Sequence, residues 1–409
     1  MKILFYDMGS YLYDDCLETL KEMGHEVRTV YYHFDNRYED DFFCERFEAK
    51  VNEIEPEIIF SVNFFPLVAK IANEHGLLYI SWSCDSPLAE GLEEYFDYDT
   101  NRIWLFDRQE VVGYVKKGHK NVFHCPLAVN MKRLSAMLDG GVSGGAGGVY
   151  GGASDGASAG DLLRKYACDV SFVGSLYNAS LEGIVAPLDK YLQGYIEALL
   201  QVQMEIYGTD ILTPSIPDEI LEKINGQYKA LNELAGAEGD AVSELNRKGL
   251  AFAIQKQITF AERVTLIDTL GSMCDMRFYS TKEYPFESNV KFMGPVKYHS
   301  QMPYVFRASR INLCPTLRSI VSGIPLRSLD ILACGGVLMS NWQPELAEFF
   351  SDGEDVIMYS SLEEAVDKAT WYLEHEEERT QIAGHARSIL EEHFSYGDKL
   401  EQILRESLR

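Results

Sequence analysis

Short apolar runs alternate with amphipathic stretches along most of the chain. In the first third, six runs are rich in β-branched and aromatic residues and apolar nearly throughout, as strands buried on both faces are. They are KILFYD (2–7), EVRTVYY (26–32), EIIFSV (57–62), LLYISW (77–82), IWLFD (103–107) and NVFHC (121–125). Between the first two, Cys16, Leu17, Leu20 and Met23 share one helix face, which Gly24 closes. This alternation predicts a doubly wound parallel sheet over residues 1–135.

A second series of strand-like runs follows. It consists of DVSFVGS (169–175), MRFYS (276–280), NVKFM (289–293), RINLC (310–314), GVLMS (336–340) and DVIMY (355–359). The same reasoning predicts a second Rossmann-like domain over residues 162–395. Residues 180–270, approximately, have apolar positions at helical spacing and predict a helical insertion in this domain. Residues 396–409 are predicted to form a C-terminal helix.

The two predicted domains are separated by a segment of unusual composition. Residues 136–161 include DGGVSGGAGGVYGGASDGASAG, which is rich in Gly, Ser and Ala and has almost nothing to bury. Such a segment predicts a flexible linker or a disordered insertion.

The bulk composition excludes several classes of protein. No apolar run of the 409 residues approaches the ~18 that a membrane span requires. The start, MKILFYDMGS, lacks the layout of a signal peptide, and the eight cysteines form no CxxC motif. These features predict a cytoplasmic protein with reduced thiols and no structural metal. A net charge of −26 opposes binding to nucleic acid or anionic lipid.

One stretch departs from this acidic character. Residues 288–329 contain no Asp or Glu, whereas about six would be expected from the composition. They contain six cations, namely Lys291, Lys297, Arg307, Arg310, Arg318 and Arg327. The stretch therefore predicts a local region of positive potential that a phosphate ligand needs on an acidic protein.

The acid-free stretch ends in SGIPLRSLD (322–330), a turn leading into an apolar helix. Gly323 permits an unusual backbone angle, and Pro325 suits the first turn of the helix, whose free N–H groups can bind an anion. Arg327 can add a bidentate phosphate contact. Asp330 lies about 7.5 Å further along the axis, where a carboxylate can accept hydrogen bonds from a ribose. The alternative is that Arg327 and Asp330 only pair with each other on the helix surface.

Other candidate residues follow predicted strands. Gly174 and Ser175 end a strand as in a phosphate-facing Rossmann loop, although many strands end in Gly. Gly9, Ser10 and Tyr11 occupy the equivalent loop of the first domain, where a simple turn is the alternative. Asp85 lies at the carboxyl end of a strand, where a carboxylate can serve as a general base, or can instead begin a turn before Pro87.

The sequence gives little support to a few other candidate residues and reaction classes. Asp107 ends a strand as Asp85 does, with a weaker indication of function. The histidines that could approach a cleft are His33, His119, His124 and His299. No pair of them has metal-ligand spacing on one element, so a structural role is the simpler interpretation. The chain lacks G-x-x-x-x-G-K-[ST], and G-x-S-x-G occurs only inside the Gly/Ser/Ala-rich segment, as GVSGG, GASDG and GASAG. The sequence therefore gives little support to P-loop enzymes or serine hydrolases.

Several motifs together resemble a known family. They are DVSFVGS, NVKFMGPVKY, SRINLCPTLRSIVSGIPLRSLDILACGGVLMSNWQPELAEFF and YLEHEEERTQIAGHARSILEEHFSY, with YISWSCDSP and HCPLAVN nearer the start. They resemble the spore-maturation CgeB-type glycosyltransferases over most of the chain, apart from the linker and, less closely, the insertion. The resemblance implies a GT-B architecture, in which two Rossmann-like domains face a cleft. It also implies metal-independent transfer of a hexose-like sugar from a nucleoside diphosphate sugar, with no other cofactor.

The resemblance and the residues together define the predicted site. The donor side comprises Gly174, Ser175, Lys297, Arg318, Ser322, Gly323, Ile324, Pro325, Arg327 and Asp330. The acceptor side comprises Gly9, Ser10, Tyr11 and Asp85, with Asp85 and Arg327 as the catalytic residues. The acceptor itself, whether protein, glycan or lipid, is left open.

The sequence departs from the wider group of retaining GT-B enzymes at one position. These enzymes carry two glutamates separated by seven residues, and here Ser322 and Asp330 occupy the two places. The acid beside the donor sugar is therefore absent, which leaves open the sugar and the stereochemical course. A nucleotide-sugar epimerase of the same fold and a non-catalytic spore or surface assembly protein are the alternative functions.

Overall fold

A computed structural model describes residues 1–89, 91–139, 158–177, 181–234 and 244–409 of the chain. The middle of the predicted linker, residues 140–157, lies outside these ranges. Its two ends are helical, because one helix runs to Leu138 and the next begins at Ala159.

The first half of the chain forms a parallel six-stranded sheet in the order β2-β1-β3-β4-β5-β6. The strands are β1 Lys2–Tyr6, β2 Glu26–Val30, β3 Ile58–Val62, β4 Leu78–Ser83, β5 Asn101–Leu105 and β6 Val122–His124. All five residues of β3 are buried, as expected for a central parallel strand covered by helices on both faces. We call this half the N-lobe.

Helices cover both faces of the N-lobe sheet. They are α1 Tyr13–Glu22, α2 Asp41–Ile54, α3 Pro66–Glu74, α4 Arg108–Lys116 and α5 Met131–Leu138, with a 3₁₀ turn at Leu92–Tyr95. Side-chain caps fix the start of several of them: Asp40 accepts the N–H of Phe43 at α2, and Asp107 accepts the N–H groups of Gln109 and Glu110 at α4.

A second parallel six-stranded sheet has the order β12-β11-β10-β7-β8-β9. Its strands are β7 Cys168–Val173, β8 Met276–Tyr279, β9 Lys291–Phe292, β10 Ser309–Leu313, β11 Leu338–Asn341 and β12 Ile357–Tyr359. Numbered within the sheet, this is the Rossmann order 3-2-1-4-5-6, and we call this half the C-lobe. Each of the twelve predicted runs overlaps an observed strand.

The helices of the C-lobe fall into two groups. Those of the predicted insertion are α7 Leu181–Val185, α8 Lys190–Met204, α9 Leu212–Ser215, α10 Asp218–Leu234 and α11 Arg247–Gly271. The others are α6 Ala159–Tyr166, α12 Met302–Ala308, α13 Leu326–Ala333, α14 Pro344–Phe349, α15 Leu362–Glu374 and α16 Glu376–His393.

The insertion has an apolar core of its own. Leu192, Ile196, Leu212 and Ile224 pack there against the first half of α11. The second half of α11 packs into the C-lobe core through residues such as Leu266. Because α11 belongs to both cores, it fixes the insertion rigidly to the C-lobe.

The last helix, α17 Tyr396–Ser407, returns to the N-lobe. The indole N–H of Trp104 on β5 donates to Oγ of Ser407 at 3.0 Å, and the N–H of Val129 donates to the carbonyl of Phe394 at 2.9 Å. One apolar cluster is continuous from β1 and α1 of the N-lobe to α13 of the C-lobe. The return of the chain to the N-lobe through α17 and the shared apolar core therefore hold the two lobes against each other.

Candidate active site between the lobes

The carboxyl ends of all strands in a parallel sheet lie at one edge. Ligands of open α/β sheets bind at that edge, between two adjacent strands whose following connections run to opposite sides of the sheet. In the C-lobe this point lies between β7 and β10, and in the N-lobe between β1 and β3. The loops that follow these four strands are therefore where a ligand is expected.

Arg263 of α11 lies at the β7/β10 point. Its Nε donates to the carbonyl of Pro315 at 3.1 Å, and its Nη1 donates to the carbonyl of Ser175. The side chain is buried, which lowers the pKa of the guanidinium, and within the described ranges it forms no ion pair. The guanidinium also lies 4.8 Å from the ring centroid of Tyr177 and 5.3 Å from that of Phe172. A buried cation with no acidic partner among the described residues creates positive potential at the two loops that an anionic ligand would approach.

Asp330 lies on α13, at the boundary between the lobes. Its Oδ1 accepts a hydrogen bond from the hydroxyl of Tyr298 at 2.8 Å, whereas its Oδ2 is buried without a partner. Burial raises the pKa of this carboxyl to about 6, and the positive charges of Arg327 and Arg133 oppose that rise. Arg133 belongs to α5 of the N-lobe, so the carboxyl lies where the two lobes meet, beside a small cavity of about 10 Å³ that Arg133, Tyr298 and Asp330 help to line.

Tyr298 connects this carboxyl to the opposite lobe. Its ring stacks on that of Tyr11 with centroids 4.6 Å apart and an angle of 28° between the planes. Tyr11 follows Gly9 and Ser10 in the loop after β1 and is one of the predicted acceptor residues. Tyr298 therefore contacts both Tyr11 and Asp330, the predicted ribose-binding residue. Tyr298 also occupies one of the two oxygens that a ribose would use.

The acid-free stretch is less positive than its sequence indicates. Four of its six cations pair with acids from other parts of the chain: Lys291 with Asp275, Arg307 with Asp139, Arg310 with Asp169, and Arg318 with Glu262. Only Lys297 and Arg327 make no ion pair within the described residues. Lys297 is exposed, whereas Arg327 is half-buried against Met302 and Phe306.

Arg318 is placed differently from the prediction. Its guanidinium makes hydrogen bonds to both carboxylate oxygens of Glu262 and to the carbonyls of Met204 and Ile206, and it lies 3.6 Å above the ring of Tyr207. The side chain is buried between α11 and the end of α8 with the residues that follow it. This placement gives Arg318 a structural role, because almost all of its N–H donors are already used, and it is not available to a donor phosphate.

The turn before α13 is also engaged within the protein. Oγ of Ser322 lies 2.7 Å from a carboxylate oxygen of Asp107 and 2.8 Å from one of Glu345, so its hydroxyl can donate to either. The N–H of Val321 donates to Asp107 at 2.6 Å. His124 at the end of β6 contacts Glu345 at 2.9 Å. Ser322 therefore fastens the C-lobe to the N-lobe instead of facing a ligand, and Ile324 is buried in the shared core.

The remaining predicted residues lie at the expected edges. Gly9 has a positive φ of 84°, and its N–H donates to the carboxylate of Asp7. Gly174 and Ser175 follow β7, and the N–H of Gly174 donates to the carbonyl of Tyr279. Pro325 is the N-cap residue of α13, one position before the predicted first turn.

Asp85 follows β4 in the N-lobe. Its Oδ2 accepts a hydrogen bond from Nδ2 of Asn63 at 2.8 Å, and burial raises the pKa of its carboxyl. Asn63 has a positive φ of 68°, which turns the chain after β3 so that its amide can hold both Asp85 and the N–H of Cys84. The carboxyl is thus fixed at the edge where a general base is expected.

Gly323 has a packing role that leads to a first prediction. A Cβ at this position would lie 2.8 Å from Cδ2 of Phe106 and 2.9 Å from Cα of Asp107. We expect Gly323→Ala to lower the free energy of unfolding by about 1–3 kcal/mol, the usual effect of overpacking, and to push the lobes apart. Urea denaturation and small-angle scattering measure the two effects.

The matched control is Gly194→Ala on α8, where a new Cβ meets nothing within 4 Å. Equal unfolding free energies for the two variants would contradict the proposed direct contact between the lobes at Gly323.

A second prediction concerns pH. Glu110 on α4 is buried, which raises the pKa of its carboxyl to about 7, and that of Asp330 is raised to about 6. Because both values exceed those of an unfolded chain, the folded protein binds protons that the unfolded chain releases. Stability should therefore fall as the pH rises from about 4 to about 7, by an amount on the order of 2 kcal/mol per group.

The measurement is the unfolding free energy at pH 5 and pH 8 for the parent chain and for the double variant Glu110→Gln, Asp330→Asn. The difference between the two proteins should favour the variant increasingly as the pH rises. A difference that does not change with pH would show that these carboxyls titrate normally.

Known proteins resemble the chain in two ways. Residues 250–405 match the model of a family described as glycosyl transferase-like. A glycosyltransferase from Rickettsia africae ESF-5 superposes with a TM-score of 0.54 at 9% identity, over 99% of this chain and 97% of that one. The sucrose-phosphate synthase of Thermosynechococcus elongatus gives 0.54 at 9%, over 99% and 98%. The fold is GT-B.

Anabaena HepE, solved with UDP and glucose, also has this fold: its TM-score is 0.51 at 10% identity, over 99% of each chain. No curated protein matches the chain. The predicted GT-B architecture of two Rossmann-like sheets with a helical insertion is thus confirmed. None of the described helices has the length and apolarity that crossing a bilayer requires.

Several residues of the site were not predicted from the sequence. Arg263 was overlooked although it stands next to Glu262 in the otherwise apolar run ITFAERVTLI, and a charged pair in such a run indicates a buried polar contact. Arg133 gave no comparable signal, because its position near Asp330 depends on how the two lobes meet. Tyr298 gave none because it lies 32 positions from Asp330 in the chain, and the direction of its side chain has no local signal.

Proposed function

We propose that the chain transfers a glycosyl unit from a nucleoside diphosphate sugar to a hydroxyl group of an acceptor. The observation that supports this most directly is Asp330, a buried carboxylate with one free oxygen, on a GT-B lobe and facing the opposite lobe. The match of residues 250–405 to a glycosyl transferase-like family supports the same reaction. HepE was solved with UDP, which makes a uridine nucleotide the first donor to test.

The charge that develops during transfer indicates how the residues would act. As the bond between the sugar and the diphosphate breaks, the leaving diphosphate gains negative charge. Arg327 in the first turn of α13, the N–H groups of that turn and the buried Arg263 would stabilise this charge. Asp330 would hold the ribose after Tyr298 gives up its hydrogen bond.

Asp85 is the proposed general base. Its carboxyl is fixed by Asn63, and its raised pKa brings it closer to the range in which a carboxylate removes a proton efficiently. Gly9 and Ser10 would let the loop after β1 approach the donor closely. Metal-independent reaction, a hexose donor and kinship with the CgeB-type enzymes are parts of the same proposal.

The proposed compartment is the cytoplasm. It is supported by the eight cysteines, which are all free thiols in the structure.

The proposal is tested by thermal-shift screening with UDP-, GDP-, TDP- and CMP-sugars. We expect one nucleotide to raise the melting temperature markedly, because a ligand that binds only the folded state stabilises it by about 2.7 kcal/mol at a hundredfold excess over Kd. No stabilisation by any of the four would contradict the proposal. Conversion of the donor without an acceptor to an epimer would instead favour the epimerase alternative.

A further inference from the structure

A large cavity lies between the N-lobe and the helical insertion. Its volume is about 670 Å³, within the range of roughly 300–1,000 Å³ that is typical of small-molecule sites. One wall is the N-lobe loop 86–89 with the first turns of α4, and the opposite wall is formed by residues 208–213 and the start of α11. Neither lobe could form this cavity alone.

The roof of the cavity connects it to the proposed donor site. Ser319 and Val321 line it, and the chain runs from there through Ser322 and Gly323 into α13, which bears Asp330. The N-lobe wall begins at Ser86, the residue after Asp85. The cavity therefore reaches the residue that follows the proposed base and the turn that precedes the proposed phosphate-binding helix.

The cavity is built from a fixed framework. The carboxyl group of Glu110 accepts hydrogen bonds from Oγ of Ser86 at 2.7 Å, the N–H of Leu88 at 2.8 Å and the hydroxyl of Tyr114 at 3.2 Å, which holds the loop 86–89 against α4. On the other side, Lys248 at the start of α11 pairs with Glu93 of the N-lobe. These contacts keep the two walls at a constant separation.

The charges around the cavity indicate what it would bind. Three carboxyl groups line it, from Asp107, Glu110 and Asp210, against the two ammonium groups of Lys117 and Lys248. Both ammonium groups already donate to Glu93. Among the described lining residues, an anionic ligand such as a sugar phosphate would meet no unused cation, and it would lie close to the negative charges of Asp107 and Asp210.

The remaining surface suits a ring with hydroxyl groups. Phe252, Tyr114 and Pro87 provide apolar and aromatic walls on which the face of a ring can lie. Ser319 is only 6% exposed, and its Oγ is buried without a hydrogen-bond partner, an unusual state for a buried hydroxyl. Gln255 adds a buried amide to the lining.

We propose that this cavity is the acceptor site and that the acceptor is an uncharged compound with an apolar ring face and hydroxyl groups, such as a neutral glycoside. This inference rests on the proposed transfer reaction and assigns a role to the insertion, which completes the acceptor site from the side of the C-lobe. It moves the main acceptor contacts from the loop of Gly9–Tyr11 to residues 86–89 and the insertion.

The test uses the full-length chain and measures saturation-transfer NMR with two uncharged probes, p-nitrophenyl β-D-glucoside and p-nitrophenyl β-D-galactoside, and with glucose 6-phosphate. Gly113 on α4 lines the cavity, and a Cβ there meets nothing within 4 Å, so Gly113→Phe places a ring in the space without displacing the backbone. The control is Gly194→Phe, at an equally open helical glycine on α8 away from the cavity.

We expect the uncharged probes to bind the parent chain and Gly194→Phe, and binding to Gly113→Phe to weaken at least about fivefold, since the new ring occupies ligand volume. Phe252→Ala should weaken binding in the same direction. Nucleotide-induced stabilisation, measured on the same samples, should be equal in all four proteins.

Three results would overturn the inference: no binding of either uncharged probe, equal binding by Gly113→Phe and its control, or preferred binding of glucose 6-phosphate. Loss of nucleotide binding in Gly113→Phe alone would show that the cavity takes the donor instead. Absence of nucleotide binding in the parent chain would contradict the proposed function itself, so the two failures are distinguishable.

Discussion

Replacing Asp330 with Ala should weaken binding of the donor nucleotide sugar by about ten- to a hundredfold. Hydrogen bonds to a charged group contribute about 1.5–3 kcal/mol, and each 1.4 kcal/mol corresponds to a factor of ten in Kd. The carboxyl has one free oxygen and a pKa of about 6, so at pH 8 it is ionised and able to accept from a ribose hydroxyl. Titration calorimetry with UDP-glucose, or with whichever nucleotide sugar stabilises the chain, measures the change.

The control for this experiment is Tyr298→Phe. It removes the hydroxyl that donates to Oδ1 of Asp330 but keeps the ring that stacks on Tyr11. Because the phenol competes with the ribose for the same oxygen, its removal should leave the affinity equal or higher. Loss of affinity in Asp330→Ala together with no loss in Tyr298→Phe would assign the effect to the carboxylate.

A folding defect is not expected to confuse this comparison. A carboxyl whose pKa is raised by burial costs stability when it is ionised, so removing Asp330 should not destabilise the chain at pH 8. An unchanged Kd for Asp330→Ala, with a normal unfolding transition, would therefore remove Asp330 from the donor site.

The fold was largely predictable because parallel strands buried on both faces have a distinct sequence pattern. β3 shows this: the prediction gave residues 57–62, and the observed strand is Ile58–Val62, buried throughout. The insertion was predictable for a similar reason, since its helices bury one face against a core of their own. Both patterns are local, and a single sequence contains them.

The partners of charged side chains were not predictable in the same way. Arg318 was predicted to contact phosphate because no acid lies near it in sequence, yet Glu262 reaches it from 56 residues away. Gly323 was interpreted as a turn beside a ligand, whereas the structure shows a turn against the backbone of Phe106 and Asp107 in the other lobe. Side-chain direction and the docking of the lobes decide such contacts, and neither has a local sequence signal.

α13 lies between these two cases. The pattern of a Gly/Pro turn, an arginine and a single acid in an apolar helix was local enough to indicate a functional helix. The structure adds that Asp330 is satisfied by Tyr298 on one oxygen only, and that Arg327 is one of two cations in the acid-free stretch without an ion pair among the described residues. The chemistry of the motif was predictable, but its neighbours in the cleft were not.

The buried pair of Glu262 and Arg318 should have the largest effect on stability. Both side chains are 4% exposed, and Glu262 also accepts the hydroxyl of Tyr207 at 2.9 Å. Glu262→Ala would leave the guanidinium buried without a counter-charge, which typically costs 3–5 kcal/mol, on the order of a third of the stability of an ordinary domain. Urea denaturation of the full chain, followed by circular dichroism, measures the loss.

Two comparisons make this prediction specific. Glu391→Ala removes an exposed i,i+4 pair with Arg387 and should change the unfolding free energy by less than about 1 kcal/mol. The double variant Glu262→Leu, Arg318→Met removes both charges and should recover most of the loss, because apolar residues of similar size tolerate the same site. A double variant as unstable as Glu262→Ala would contradict this interpretation. Stability would then depend mainly on the hydrogen bonds that Arg318 donates to the carbonyls of Met204 and Ile206, and not on its ion pair with Glu262.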